Sequence, residues 1–128
     1  MTEPTASGHP ALDPGVLATL HTSVGGDDAF LVELIGTYLA DAATQVEAIR
    51  GAIAASDADA LVRPAHTLKS ASLTVGAIRL GELCRSIEQR ARAGDATSMD
   101  REGAAVAEEW RIADGALRQW LAEQGARG

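Results

Sequence analysis

The run Ala65-His66-Thr67-Leu68-Lys69-Ser70 puts an imidazole, a cation and a hydroxyl within one stretch of helical pattern. At about 100° per residue, Leu68 lies about 200° around the helix from His66, so burying Leu68 turns the imidazole outward. Lys69 and Ser70 then flank the ring one turn later, at i+3 and i+4. An exposed imidazole is a nucleophile in its neutral form, and imidazoles titrate near neutrality, at about 6.5. With a cation beside it, such a ring suits a group that carries something negatively charged.

The elements that must hold His66 read as helices. Composition is 46% hydrophobic but only 3% aromatic, with abundant alanine, which favours close-packed helices over a sandwich of strands. Asp13-Pro14 starts a short helix with Val16, Leu17 and Leu20 on its apolar side, ended by Gly25-Gly26. Asp27 and Asp28 open a long second helix striped by Leu31, Ile35, Tyr38, Ala42, Val46, Ile49 and Ile53, and broken at Ser56-Asp57. A third runs from about Asp59 to Val75, burying Leu61, Ala65, Leu68, Ser72 and Val75. Pro64 inside it should kink it or push its effective start later. Gly76 turns the chain into a fourth helix with Leu80, Leu83, Cys84, Ile87 and Ala91 inward, closed at Ala93-Gly94-Asp95. The last opens near Thr97-Ser98 and buries Met99, Val106, Trp110, Ala113, Leu117 and Trp120 or Leu121.

These segments predict an all-α fold: an antiparallel up-down-up-down four-helix bundle with a short additional N-terminal helix. Residues 1–12 read as a disordered tail and 13–124 as the domain. No strand pattern or internal repeat competes with this reading.

Charge separates along the chain. Residues 60–94 carry six basic side chains against two acidic ones, a balance of +4, leaving −11 for the rest of a chain whose net charge is −7. The acidic total argues against non-specific nucleic-acid binding, while the basic segment around His66 suits an acidic partner. There is no apolar run of membrane-spanning length, and the polar N-terminus has no signal-peptide pattern, so a cytoplasmic location is expected. The single cysteine, Cys84, is expected in the core. His9 and His21 stand apart from other ligand-type residues, so no metal site is expected.

Ala65-His66-Thr67-Leu68-Lys69, followed by Gly76-Ala77, Leu80, Leu83 and Ile87-Glu88, resembles the histidine-containing phosphotransfer (HPt) domains of phosphorelays. The helix layout resembles theirs over roughly residues 28–121; the specific residues lie within 65–88. The resemblance implies that His66 accepts a phosphoryl group from a receiver-domain aspartate, or from a sensor kinase, and passes it to another response-regulator receiver. It implies that Lys69 neutralises part of the phosphoryl charge, that small Ser70 stands where the family usually has glycine, and that Glu88 orients the ring through Nδ1–H. Pairing of Glu88 with Arg85 or Arg92 along its own helix is an equal alternative. Arg85 and Arg92 are candidate phosphate or partner contacts, and Leu73 a candidate exposed apolar docking residue. The alternative for Lys69 is a plain solvated lysine; Lys69→Ala is expected to slow transfer without unfolding the bundle.

The implied partners are receiver domains or a hybrid sensor histidine kinase, with no nucleic acid and no membrane, and a monomer is expected. No cofactor is expected in this chain; magnesium would belong to the receiver. There is no glycine-rich phosphate loop, so autonomous kinase activity is not expected. Two alternatives stand beside this reading: the phospho-acceptor module of a chemotaxis-type kinase, and a helical module that binds a receiver without carrying phosphate.

Overall fold

The computed structural model describes residues 12–127, with side chains through Glu123. Five helices follow one another: α1 (Pro14–Ser23), α2 (Asp28–Ala54), α3 (Ala58–Thr74), α4 (Ile78–Arg92) and α5 (Asp100–Arg127), with no strand among the described residues. The tail expected over residues 1–12 lies outside the described residues except for Leu12. The long helices pack in a ring, α2 against α3, α3 against α4, α4 against α5, and α5 back against α2.

Each of the first three helices starts on an aspartate whose carboxylate accepts from a backbone N–H one turn in. Asp13 takes Gly15 N–H at 2.8 Å, Asp27 takes Phe30 N–H at 3.0 Å, and Asp57 takes Ala60 N–H at 3.0 Å. α1 to α4 all end in the same paired backbone bonds. After α2, for example, Ser56 N–H donates to Ile53 O at 3.0 Å and Asp57 N–H to Ala52 O at 2.9 Å. The residue that makes this turn must be left-handed. Glycine fills that place after α1, α3 and α4, whereas after α2 Ser56 adopts φ 52°.

The core is one cluster drawn from every helix. Leu17 of α1 and Leu31, Ile35 and Ile49 of α2 meet Leu61 and Leu68 of α3, Leu80 and Ile87 of α4, and Val106 and Leu117 of α5. Leu83, expected inward, is only half-buried, as are Trp110, Trp120 and Leu121 at the margins. The buried Tyr38 and Ser72 hydroxyls hydrogen-bond at 2.8 Å, tying α2 to α3, and burial pushes the Tyr38 phenol up to about 12. Cys84 is fully buried, and the same cause raises its thiol to about 12, which leaves it unreactive.

Pro64 does not delay α3, which begins six residues earlier at Ala58. The proline removes only the donor that would have met the Ala60 carbonyl. Ala60 is exposed, so water can satisfy that oxygen, while the Pro64 ring is buried in the core. α5 begins at Asp100, slightly later than the Thr97-Ser98 start expected. The α3–α4 link is Gly76 at φ 86°, and its carbonyl accepts Asp13 N–H at 2.8 Å. A Cβ there would meet Asp13 O at 3.0 Å, so this glycine both makes the turn and seats α1 on it.

Ser56→Gly should stabilise the protein by about 0.5–1 kcal/mol, because it relieves an L-residue held left-handed. Urea unfolding should show a higher midpoint at unchanged slope.

Candidate functional site

The short α3–α4 turn makes the two helices adjacent and brings residues 22 apart in sequence into contact. His66 stands on the outer side of α3 with its side chain 52% exposed, and its Nδ1 lies 3.0 Å from Glu88 Oε2 on α4. Glu88 is 7% exposed. Its Oε1 lies 2.8 Å from Lys69 Nζ, and its Oε2 accepts Arg92 Nε–H at 2.8 Å. Arg92 Nη2 approaches the same Oε2 at 2.8 Å. One buried carboxylate therefore carries an imidazole, an ammonium and a guanidinium.

Burial alone would push the Glu88 carboxyl up, but the bonds from Lys69, Arg92 and His66 outweigh it and hold the group down at about 2. Glu88 is thus a permanent anion and can only accept hydrogen bonds. It follows that the Nδ1 facing it carries the proton, so in the neutral ring the lone pair resides on Nε2, the nitrogen away from Glu88.

Four residues of the expected site converge: His66, Lys69, Glu88 and Arg92. The two readings of Glu88 turn out to be compatible, since Oε2 accepts from both the ring and Arg92. Arg85 stays apart and pairs instead with Glu82 at 3.1 Å on its own exposed face. Ser70 is exposed one turn beyond His66, and its carbonyl accepts Thr74 Oγ1–H at 2.9 Å.

Two expectations need correction. Lys69 is not a solvated cation: its side chain is 19% exposed and bound to Glu88. Its head reaches a carboxylate on the neighbouring helix, which the i+3 count could not reveal. Leu73 is not openly exposed either; it is half-buried over Gly81 of α4 and faces α1. The sequence argument missed the shared role of Arg92, though its i+4 spacing from Glu88 carried the signal. Among the described residues, no three His, Cys, Asp or Glu side chains cluster to hold a metal, and no helix is long and apolar enough to cross a membrane.

The chain that builds this site matches the Hpt domain family model over residues 33–124, and it belongs to that family. Its fold is similar to the crystal structure of histidine-containing phosphotransfer protein B (HptB) from Pseudomonas aeruginosa PAO1, at 29% identity and a TM-score of 0.79, covering 89% of this chain and 96% of that one. It is also similar to the HPT domain of the Hpt sensor hybrid histidine kinase from Shewanella, at 21% identity and a TM-score of 0.71, covering 87% and 97%. No curated protein matches the chain.

Because the Glu88 carboxyl sits at about 2 in the folded protein against an ordinary 4.5, its ionisation favours folding above pH 4.5. That contribution should be lost as pH falls from 4.5 toward 2. Half-buried Asp95, held at about 2 by the Thr97 amide and hydroxyl and by Arg90, titrates in the same range. The difference in melting temperature between wild type and Glu88→Gln should therefore isolate Glu88, with the variant flatter between pH 4.5 and 2.

Proposed function

We propose that the protein is a phosphorelay intermediate in which His66 accepts a phosphoryl group from a receiver-domain aspartate, or from a sensor kinase, and passes it to a second response-regulator receiver. Family membership supports phosphotransfer in a phosphorelay in general. The observation that carries the specific reading is the Nδ1–H···Glu88 bond, which commits the Nε2 lone pair to the open side. The short links and the ring of contacts support an up-down-up-down bundle, spanning residues 13–124, as its scaffold.

The step balances without a cofactor in this chain. The Nε2 lone pair forms the N–P bond as the O–P bond of the acyl phosphate breaks, and the receiver's carboxylate leaves with the electron pair. Nδ1 keeps its proton, so the phosphorylated ring is a cation held against Glu88. Lys69 and Arg92 outweigh Glu88 by one positive charge and draw the phosphoryl group in. Magnesium, where the reaction needs it, is a matter for the receiver. Exposed Arg85 is left for the partner's surface, and the small Ser70 leaves the approach to the ring open. We place the protein in the cytoplasm as a monomer.

Incubation with phosphorylated receivers should transfer acid-labile, alkali-stable label to the wild type and none to His66→Gln. A wild type that binds receivers but takes no label would instead be a pure interaction module. Lys69→Ala should slow transfer and also lower stability by about 1–3 kcal/mol, because it strips Glu88 Oε1 of its partner. Paired thermal melts and transfer rates would check both halves.

A further inference from the structure

Gly81 is buried in the first turn of α4, inside a helix, where glycine is the poorest former after proline. Its place is explained by what lies on it. A Cβ at Gly81 would stand 2.5 Å from Leu73 Cδ2 and 2.7 Å from Leu73 Cγ, and 3.5 Å from the Leu73 backbone nitrogen. The missing side chain leaves a notch in α4, and Leu73 of α3 lies down in it. On its other side Leu73 borders an open groove against Val16 and Leu20 of α1, so the side chain has somewhere to go if the notch is filled.

Leu73 follows His66 by seven residues, which places it within about 20° of the same line on α3 and about 10 Å along it. A standard protein interface covers about 800 Å² per partner, a disc of roughly 16 Å radius. Any receiver domain centred on His66 therefore covers Leu73. How far this leucine stands above the helix decides how closely the partner can settle on the imidazole.

We infer that Gly81 is a positioning residue: by offering no side chain it lets Leu73 sink into α4, which keeps the face around His66 low enough for a receiver domain to seat. The inference rests on the reading of His66 as a transfer site, and it assigns to a buried glycine on a different helix a part in partner recognition. Gly81 touches neither the imidazole nor the Glu88 cluster, so its effect should fall on docking and leave the reactivity of the ring alone.

The test compares two phosphoryl donors. Phosphoramidate, a small donor that needs no docking surface, should label wild type and Gly81→Ala at equal rates. With a phosphorylated receiver as donor, Gly81→Ala should raise KM about tenfold, the effect of one misplaced interface side chain, with kcat within about twofold. Removing the displaced side chain in Gly81→Ala/Leu73→Ala should return KM to that of Leu73→Ala. An unchanged KM in Gly81→Ala, or a rise that persists in the double variant, would overturn the inference. If Gly81→Ala does not fold, Leu73→Phe decides: a ring too large for the notch should raise KM while melting near wild type, and an unchanged KM overturns the proposal. A wild type that no receiver labels removes the transfer reading along with this one, whereas a labelled wild type with an indifferent Gly81→Ala removes this one alone.

Discussion

A single buried negative charge organises the site. A carboxylate taken out of water between two helices would ordinarily be protonated or expelled, because desolvation of an unpaired charge is costly. Glu88 stays ionised because Lys69, Arg92 and His66 all turn toward it. Those partners come from both helices of the α3–α4 pair, so the charge is stable only while the pair keeps its register. Gly76 makes the turn that sets this register, and the hydrogen bond from Asp13 to its carbonyl fixes the turn from outside. The imidazole is thus aimed by an anion that the fold itself must hold in place.

Much of this was legible in the chain. Helix starts at aspartates, stops at glycines and one-sided apolar stripes are local signals, and they located all five helices to within a few residues. The face of His66 followed from the same angular count, and Glu88 from the resemblance to the family's motif. What escaped was decided by contacts between helices. Angular counting gives the side of α3 on which Leu73 lies but not its depth, which Gly81 of α4 sets. It gives the side of Lys69 as well, but a long flexible stem follows its counter-ion, and that counter-ion is on α4. Pro64 carries a local instruction to stop a helix, yet the packing of its ring overrides it where the freed carbonyl faces water. Arg85 and Arg92, at i−3 and i+4, were both candidates for Glu88; Arg92 takes the carboxylate that His66 also uses, while Arg85 pairs with Glu82.

The chemistry also explains why an anion suits this position better than a neutral acceptor. A glutamine could orient Nδ1–H through its carbonyl, so tautomer selection alone does not need a charge. Under the proposed transfer to His66 the difference arises afterwards, because a ring with Nε2 bonded to phosphorus and Nδ1 still protonated is a cation. A carboxylate 3.0 Å away would stabilise that cation, and it stays ionised well into acid because its partners hold it down at about 2.

If His66 carries phosphate as proposed, the formal charges of the cluster bear on how firmly it is held. Before transfer, Glu88, Lys69, Arg92 and a neutral ring sum to +1, a surplus that attracts the incoming group. Afterwards the ring gains one positive charge and the phosphoryl group brings about two negative ones, so the same cluster sums to about zero. A site left strongly positive would grip its phosphate, and one left negative would shed it to water or refuse it. Near-neutrality after loading is the balance a carrier needs, since the group must be held long enough to meet the next receiver and loosely enough to leave with it. Losing either cation would tip the loaded site negative, and losing the Glu88 charge would tip it positive. On the proposed reading the carboxylate and its two cations therefore act together, the one aiming the ring and the three jointly setting how firmly it holds what it carries.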